Sequence, residues 1–184
     1  MTEKKLINDK TLDLYLKRLE KIKELGYSEK GDEEFIANLT AVSEQVDNLH
    51  VKAEVNGFEI ECDEPKSIGG TEKAPNPLET LLASMANCLE LTAMMFFSFM
   101  KLDVNGVKVQ VNASYDKRSL MLQRGNSLPG LYDIAYTWYI DTSEKRKTIE
   151  RVLNQIEESC PVKWTLQKDH DFSQEIILNN QADN

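Results

Sequence analysis

Hydrophobic residues recur along this chain with two different periods, and the change of period divides it. Over residues 8–25, Leu12, Leu14, Tyr15, Leu16, Leu19, Ile22 and Leu25 return at helical spacing while Lys, Arg and Glu fill the other face, which predicts an amphipathic helix stopped at Gly26. Residues 27–33 are rich in Gly, Ser and charge and read as a linker. Between residues 35 and 62 the period falls to two. Phe35, Ala37, Leu39 and Ala41 alternate, as do Leu49, Val51, Ala53 and Val55, and then Phe58, Ile60 and Cys62. Asn56-Gly57 between the last two runs is a strong hairpin signal, since both residues tolerate positive φ. The expectation is a three-stranded meander. A helix over residues 33–46 competes for the first run, because Glu33, Glu34 and Ala37 are tolerable helix formers; the alternation favours strand.

Residues 63–77 carry Pro65, Gly69, Gly70, Pro75 and Pro77, too many breakers for a regular element. The 78–101 stretch has Glu79 and Glu90 as nearly its only charges, which predicts a helix buried almost all round. Two more strands follow from the alternation over residues 104–115 and 131–140. A helix capped by Ser143 should then run to about Ser159, with Ile149, Val152, Leu153 and Ile156 inward and Pro161 ending it. Residues 162–166 and 172–178 can supply a last strand or two. The whole reads as an α+β domain with an added amino-terminal helix, which is either a late addition or an arm that packs on a partner.

Composition narrows the function classes. The chain has 184 residues, 41% hydrophobic and 29% charged, as in ordinary globular proteins of one domain. A formal charge of −9 without clustered Lys and Arg argues against nucleic acid as a partner. The first ten residues lack a signal-peptide core, and the most apolar run, residues 89–100, falls short of the roughly 20 residues a membrane span needs. Three cysteines, Cys62, Cys88 and Cys160, are too few and too odd for a disulfide-stapled secreted domain. A cytoplasmic location without a membrane partner is expected.

Chemistry concentrates on the thiols. At 100° per residue Thr80, Ser84, Cys88 and Thr92 share one face of the long helix, a small polar stripe whose hydroxyls could donate to a thiolate. Taken alone, Cys88 reads as one more small buried residue. Cys160 changes this because it stands directly before Pro161, at a fixed bend. There the carboxyl end of a helix, with Glu157 and Glu158 close by, opposes thiolate formation. Cys62, at the end of a strand, reads as structural or incidental. His50 and His170 have no partners at ligand spacing and no Cys-x-x-Cys occurs, so neither a metal site nor a cofactor is expected. Ser67-Ile68-Gly69-Gly70-Thr71 lacks the lysine of a phosphate loop and reads as a shaped turn.

Several of these segments together resemble one family. Asp63-Glu64-Pro65, Gly69-Gly70-Thr71, the run from Ala74 through Pro75-Asn76-Pro77-Leu78-Glu79, Leu81-Leu82-Ala83-Ser84 through Asn87-Cys88, and Ser159-Cys160-Pro161-Val162 are similar to the OsmC/Ohr family over about residues 35–178. The resemblance implies an OsmC-like domain at 34–184, preceded by a helical extension and linker at 1–33. It implies a curved antiparallel sheet wrapped around long central helices in an intertwined homodimer, with active sites at the subunit interface. It further implies a two-cysteine peroxidase acting on small apolar peroxides: Cys88 becomes a sulfenic acid, Cys160 resolves it, and an external dithiol reduces the disulfide. Glu79, Ser84, Thr92 and Pro161 would support the site. Two features depart from the pattern. Residues 35–77 contain no arginine, so Arg18, Arg118 or Arg124 would have to stand in for the family's activating guanidinium. The carboxylate expected directly after Pro77 is replaced by Leu78, and Glu79 should point away from Cys88. The alternative is a non-catalytic dimeric protein that binds a small apolar ligand.

Overall fold

The fold was obtained as a computed structural model of one chain and describes residues 5–120 and 129–177. Asn8 accepts a hydrogen bond from the Thr11 amide and opens α1 (Asp9–Leu25), which ends at Gly26 with φ of 54°. The segment expected as a linker instead forms a short helix, α2 (Glu29–Phe35), because Ser28 caps it by accepting from the Gly31 amide. Arg18 lies 5.5 Å from the centre of the Phe35 ring and Lys21 pairs with Glu34 at 2.7 Å, tying the two helices together.

Helix α2 takes up Phe35, so the alternation over residues 35–41 does not become a strand. Pairing starts six residues later, in β1 (Ala41–Asp47), followed by β2 (His50–Val55) and β3 (Phe58–Cys62) in the antiparallel order β1-β2-β3. Val55 faces Phe58 across the Asn56-Gly57 turn, where φ is 52° and 77°. The next loop folds around its own aspartate. The buried Asp63 carboxylate accepts from the Thr71 hydroxyl and from the amides of Glu64, Thr71 and Lys73. These bonds, the Thr71 hydroxyl first among them, hold its pKa down at about 2. Gly70 closes the turn where a Cβ would lie 1.7 Å from the Glu64 carbonyl oxygen, so only glycine fits. The glycine-rich stretch is thus a shaped turn whose amides serve a carboxylate of the chain itself.

Asn76 and Glu79 form a reciprocal capping box that starts α3 (Pro77–Phe99) with proline at its first position. Met85, Leu89, Ala93 and Phe97, four residues apart, form its buried stripe. The expectation of a helix buried all round is not met within one chain, since Leu91 remains 57% exposed. At 23 residues α3 is also long and apolar enough to cross a membrane by length and composition. Its packing on a sheet and three helices instead makes it the central helix of this fold.

That second sheet pairs β4 (Val104–Ser114) with β5 (Tyr132–Thr142), matching Val107 to Ile140, Val109 to Trp138 and Val111 to Tyr136 on the face toward α3. Helix α4 (Arg146–Ser159) adds Ile149, Val152 and Ile156 to a core shared with Ala93, Phe97 and Val104. It begins later than expected because Ser143 is not its cap; that hydroxyl bonds the Asp103 carboxylate instead. The strand expected over residues 162–166 is a helix, α5 (Pro161–Gln167). Pro161 both ends α4 and starts α5, its fixed φ suiting the first helical position, and the Trp164 amide closes the turn on the Cys160 carbonyl at 2.9 Å. Residues 172–177 pair with no strand, and Leu178 lies outside the described residues. The class is α+β, with five helices and two antiparallel sheets among the described residues.

Candidate functional site

The middle of one helix and the joint between two others place the two thiols. Cys88 stands mid-way along α3, three residues after Met85 and one before Leu89, about 60° around the helix from Met85. It therefore sits on the border of the buried stripe. Its other side faces a groove of about 830 Å³ lined by α3, α1, Ile60 and the Ser159–Pro161 bend. Cys160 is the last residue before α5 and the first after α4, and it is fully enclosed at 0% exposure. It clusters with Met85, Leu89 and Val109, and Cys88 packs against that cluster. Both thiols are free, and Cys88 lies close enough to influence the Cys160 thiol. The fold thus brings together two residues 72 positions apart, one open to the groove and the other sealed behind it.

The electrostatics of the pair differ from the expectation in their source. Burial is the main cause that pushes the Cys160 thiol up, and the Cys88 side chain adds to it. Although Cys160 makes no side-chain cap bond on α5, the amides of Lys163 and Val162 pull in the opposite direction. Glu157, expected to oppose ionisation, is engaged elsewhere. It receives the Lys163 ammonium at 3.3 Å and lies close enough to Tyr136 to act on its hydroxyl. Lys163 also lies 5.7 Å from the centre of the Tyr136 ring. Burial first, and then Glu157, raise Tyr136 so that it stays a phenol. This Tyr136–Glu157–Lys163 set beside Cys160 was missed in the sequence. Its signals were present: Tyr136 falls on the inward register of β5, and Lys163 follows Cys160 by three residues.

The supporting residues divide. Ser84, Thr92 and Pro161 line the groove with Cys88. Thr92, however, donates to the Cys88 backbone carbonyl at 2.8 Å, so its hydroxyl proton is not aimed at the thiol. Glu79 is spent in the capping box of α3, nine residues before Cys88 and half a turn away from it. Thr80 donates to the Asn76 carbonyl and meets the Cys62 sulfur at 3.4 Å. Cys62 consequently sits at the head of α3, about 12 Å along the helix from Cys88 by the 1.5 Å rise. Neither described candidate arginine supplies the groove: Arg18 covers Phe35 and Arg118 is bound to Asp116 at 2.7 Å. Arg124 lies outside the described residues. Among the described residues, the groove lining contains no lysine or arginine.

Comparison with known proteins bears on this geometry. The family model described as OsmC-like protein matches residues 70–175, which include α3, Cys88 and Cys160. No curated protein matches the chain. Among solved structures, an OsmC-like protein of Mycoplasma pneumoniae superposes with a TM-score of 0.59 at 23% identity, covering 71% of this chain and 88% of its own. An organic hydroperoxide resistance protein of Elizabethkingia anophelis superposes with a TM-score of 0.57 at 14% identity, covering 73% and 91%. One of Legionella pneumophila, carrying the name OsmC, gives 0.53 at 15% identity over 72% and 90%. At such identities these likenesses establish the fold.

Proposed function

The chain belongs to the OsmC-like protein family, and from that premise we propose that it is a two-cysteine peroxide reductase of the stress response. The observation that carries the reading is the pairing of an open Cys88 with a sealed Cys160 behind it. The Cys88 thiolate attacks the terminal oxygen of a hydroperoxide; the O–O bond breaks, the alcohol leaves with a proton, and Cys88 becomes a sulfenic acid. The Cys160 thiol then attacks that sulfur, water departs, and a disulfide joins the two residues. An external dithiol restores both thiols by exchange. Ser84, Thr92 and Pro161 shape the site, and the apolar groove favours organic peroxides. Names borne by neighbours such as the Elizabethkingia anophelis protein support this substrate class.

The protein acts as a homodimer in the cytoplasm on this reading. Support for a second copy comes from apolar side chains with no cover in one chain: Val42, Phe58 and Ile60 on the meander and Leu91 on α3. A second function, a non-catalytic binder of a small apolar molecule, is favoured by one observation, the lack of a cation in the described groove lining to activate Cys88.

Intact-mass analysis after a modest excess of cumene hydroperoxide separates the two. The enzyme reading expects a loss of two hydrogens in the wild-type chain, and in Cys160→Ser a single added oxygen on Cys88 instead. Unchanged thiols with the peroxide left intact support the binder.

A further inference from the structure

We propose that Tyr136 and Glu157 carry away the proton that Cys160 gives up in the resolving step, and that Lys163 is the positioning residue that holds the Glu157 carboxylate in that path. The proposal deepens the function given above and rests on it for the peroxide; the step it describes can also be reached without peroxide.

The need for such a path arises from burial. Cys160 is 0% exposed and packed among Met85, Leu89 and Val109, and burial pushes its thiol up, so it enters the reaction protonated. The thiolate is the nucleophile, so attack on Cys88 sets a proton free behind a wall of methyl and thioether groups. A sealed sulfur cannot hand that proton directly to bulk water. Among the apolar and aromatic side chains packed at this cluster, Tyr136 alone has a hydroxyl, which takes one proton and gives another; the Trp138 N–H can only donate.

Tyr136 also borders the way out. Its pairing with Val111 holds it on the inward register of β5, and its ring stands edge-on to Trp138 at 6.3 Å. The Lys163 ammonium lies 5.7 Å from the ring centre and binds Glu157 at 3.3 Å. Cys160 and Glu157 both lie close enough to Tyr136 to act on its hydroxyl. Exposure climbs along this set, from 0% at Cys160 to 16% for the Lys163 side chain and 28% for that of Glu157, so the carboxylate meets solvent. Glu157 in the last turn of α4 and Lys163 in the first turn of α5 stand three residues before and after Cys160. The bend that seats the sulfur against α3 thus also brings an acceptor and its counter-ion together beside it.

The step balances without an added reactant. The Cys160 sulfur bonds the Cys88 sulfur, the Cys88 S–O bond breaks, and the departing hydroxide takes a proton from solvent. The Cys160 proton passes to the Tyr136 oxygen as the phenolic proton passes to Glu157, which returns it to solvent. One thiol and one sulfenic acid become a disulfide and water.

The test follows the resolving step in full-length protein by rapid quenching after one equivalent of cumene hydroperoxide. Intact mass separates the sulfenic acid, one oxygen added, from the disulfide, two hydrogens lost. Tyr136→Phe, which keeps the ring, should slow conversion of one into the other by about 100-fold, the lower end of general acid–base assistance. Glu157→Gln should slow it similarly; Lys163→Gln should slow it less, and Lys163→Arg should restore it. Tyr139→Phe, whose lost hydroxyl bonds Gln110 on the outer face of the sheet, should leave the step unchanged. In H2O–D2O mixtures the wild-type step should show two protons moving together and Tyr136→Phe only one, a change that a merely structural phenol would not produce. Diamide couples to the Cys88 thiol and is displaced by Cys160 as the hydrazine, which gives the same step without peroxide. If peroxide leaves Cys88 untouched while diamide closes the pair, slowly in Tyr136→Phe, the peroxidase reading fails and the proton path stands. Resolving rates in Tyr136→Phe and Glu157→Gln equal to the wild-type rate overturn the path, and so does a wild-type pair that neither oxidant closes. Should Tyr136→Phe fail to fold, Glu157→Gln decides alone. An unchanged rate in Lys163→Gln removes the positioning role.

Discussion

The two halves of this chain bury opposite kinds of side chain. From Met85 onward the interior is apolar: Leu89, Phe97, Val152 and Ile156 are almost completely enclosed, and Cys160 lies among them. Before Met85 the buried side chains are polar, namely His50, Asp63 and Asn76, each held by its own partners. There Val42 is 66% exposed and Phe58 73% exposed. One half is organised by the hydrophobic effect and can hold itself together. The other is shaped by local hydrogen bonds and keeps its apolar face free for something else to cover, which fits a second copy of the chain. The difference teaches where chemistry can be kept: the thiol pair belongs to the half that is held by its own packing, while α1 and Ile60, which also line the groove, come from the half that is not.

The comparison breaks most readily at Phe97. Phe97→Ala should cost about 3–5 kcal/mol in denaturant unfolding, because a fully enclosed ring leaves a cavity among Ala93, Val104 and Ile156. A cost below about 1 kcal/mol would show that the carboxyl-terminal half is not a self-sufficient core. At Phe58 the opposite pattern is expected. Phe58→Ala should change the stability of a dilute monomer by no more than about 0.5 kcal/mol, yet weaken the dimer measurably in sedimentation equilibrium. Equal effects in both states would mean that no second copy covers the meander.

The smallest expected effect sharpens the polar side. The Asp63 pKa is lowered in the folded chain, from 3.8 to about 2. Its stabilisation is therefore present above pH 4 and lost as pH falls toward 2. Asp63→Asn should flatten the acid unfolding curve between those limits, and an unchanged acid limb would remove Asp63 from its organising role.

Much of this was legible in the sequence where period and composition agreed. The inward faces of β4 and α4, the Asn56-Gly57 hairpin and the stop of α1 at Gly26 all follow from local pattern. The misplacements have a common cause. Phe35 fits a two-residue alternation but Ser28 caps a helix that reaches it, and Val162 to Leu166 look strand-like although Pro161 sets a helical start. In both places a helix start outcompeted a side-chain pattern. The thiol pair was legible as two residues in a family motif; their contact was not, because it depends on α4 turning at Pro161 beneath the middle of α3. Tyr136, Glu157 and Lys163 escaped notice for the same reason, since three elements bring them together.

The central claim is that an open Cys88, once oxidised, pairs with the sealed Cys160 and with no other thiol of the chain. Peptide mapping after one equivalent of organic hydroperoxide, with free thiols then alkylated under denaturing conditions, tests it most directly. The expected result is one new cross-linked peptide pair, joining Cys88 to Cys160, with Cys62 recovered alkylated. Over-oxidised Cys88 beside a freely alkylated Cys160, or a cross-link that involves Cys62, would contradict it.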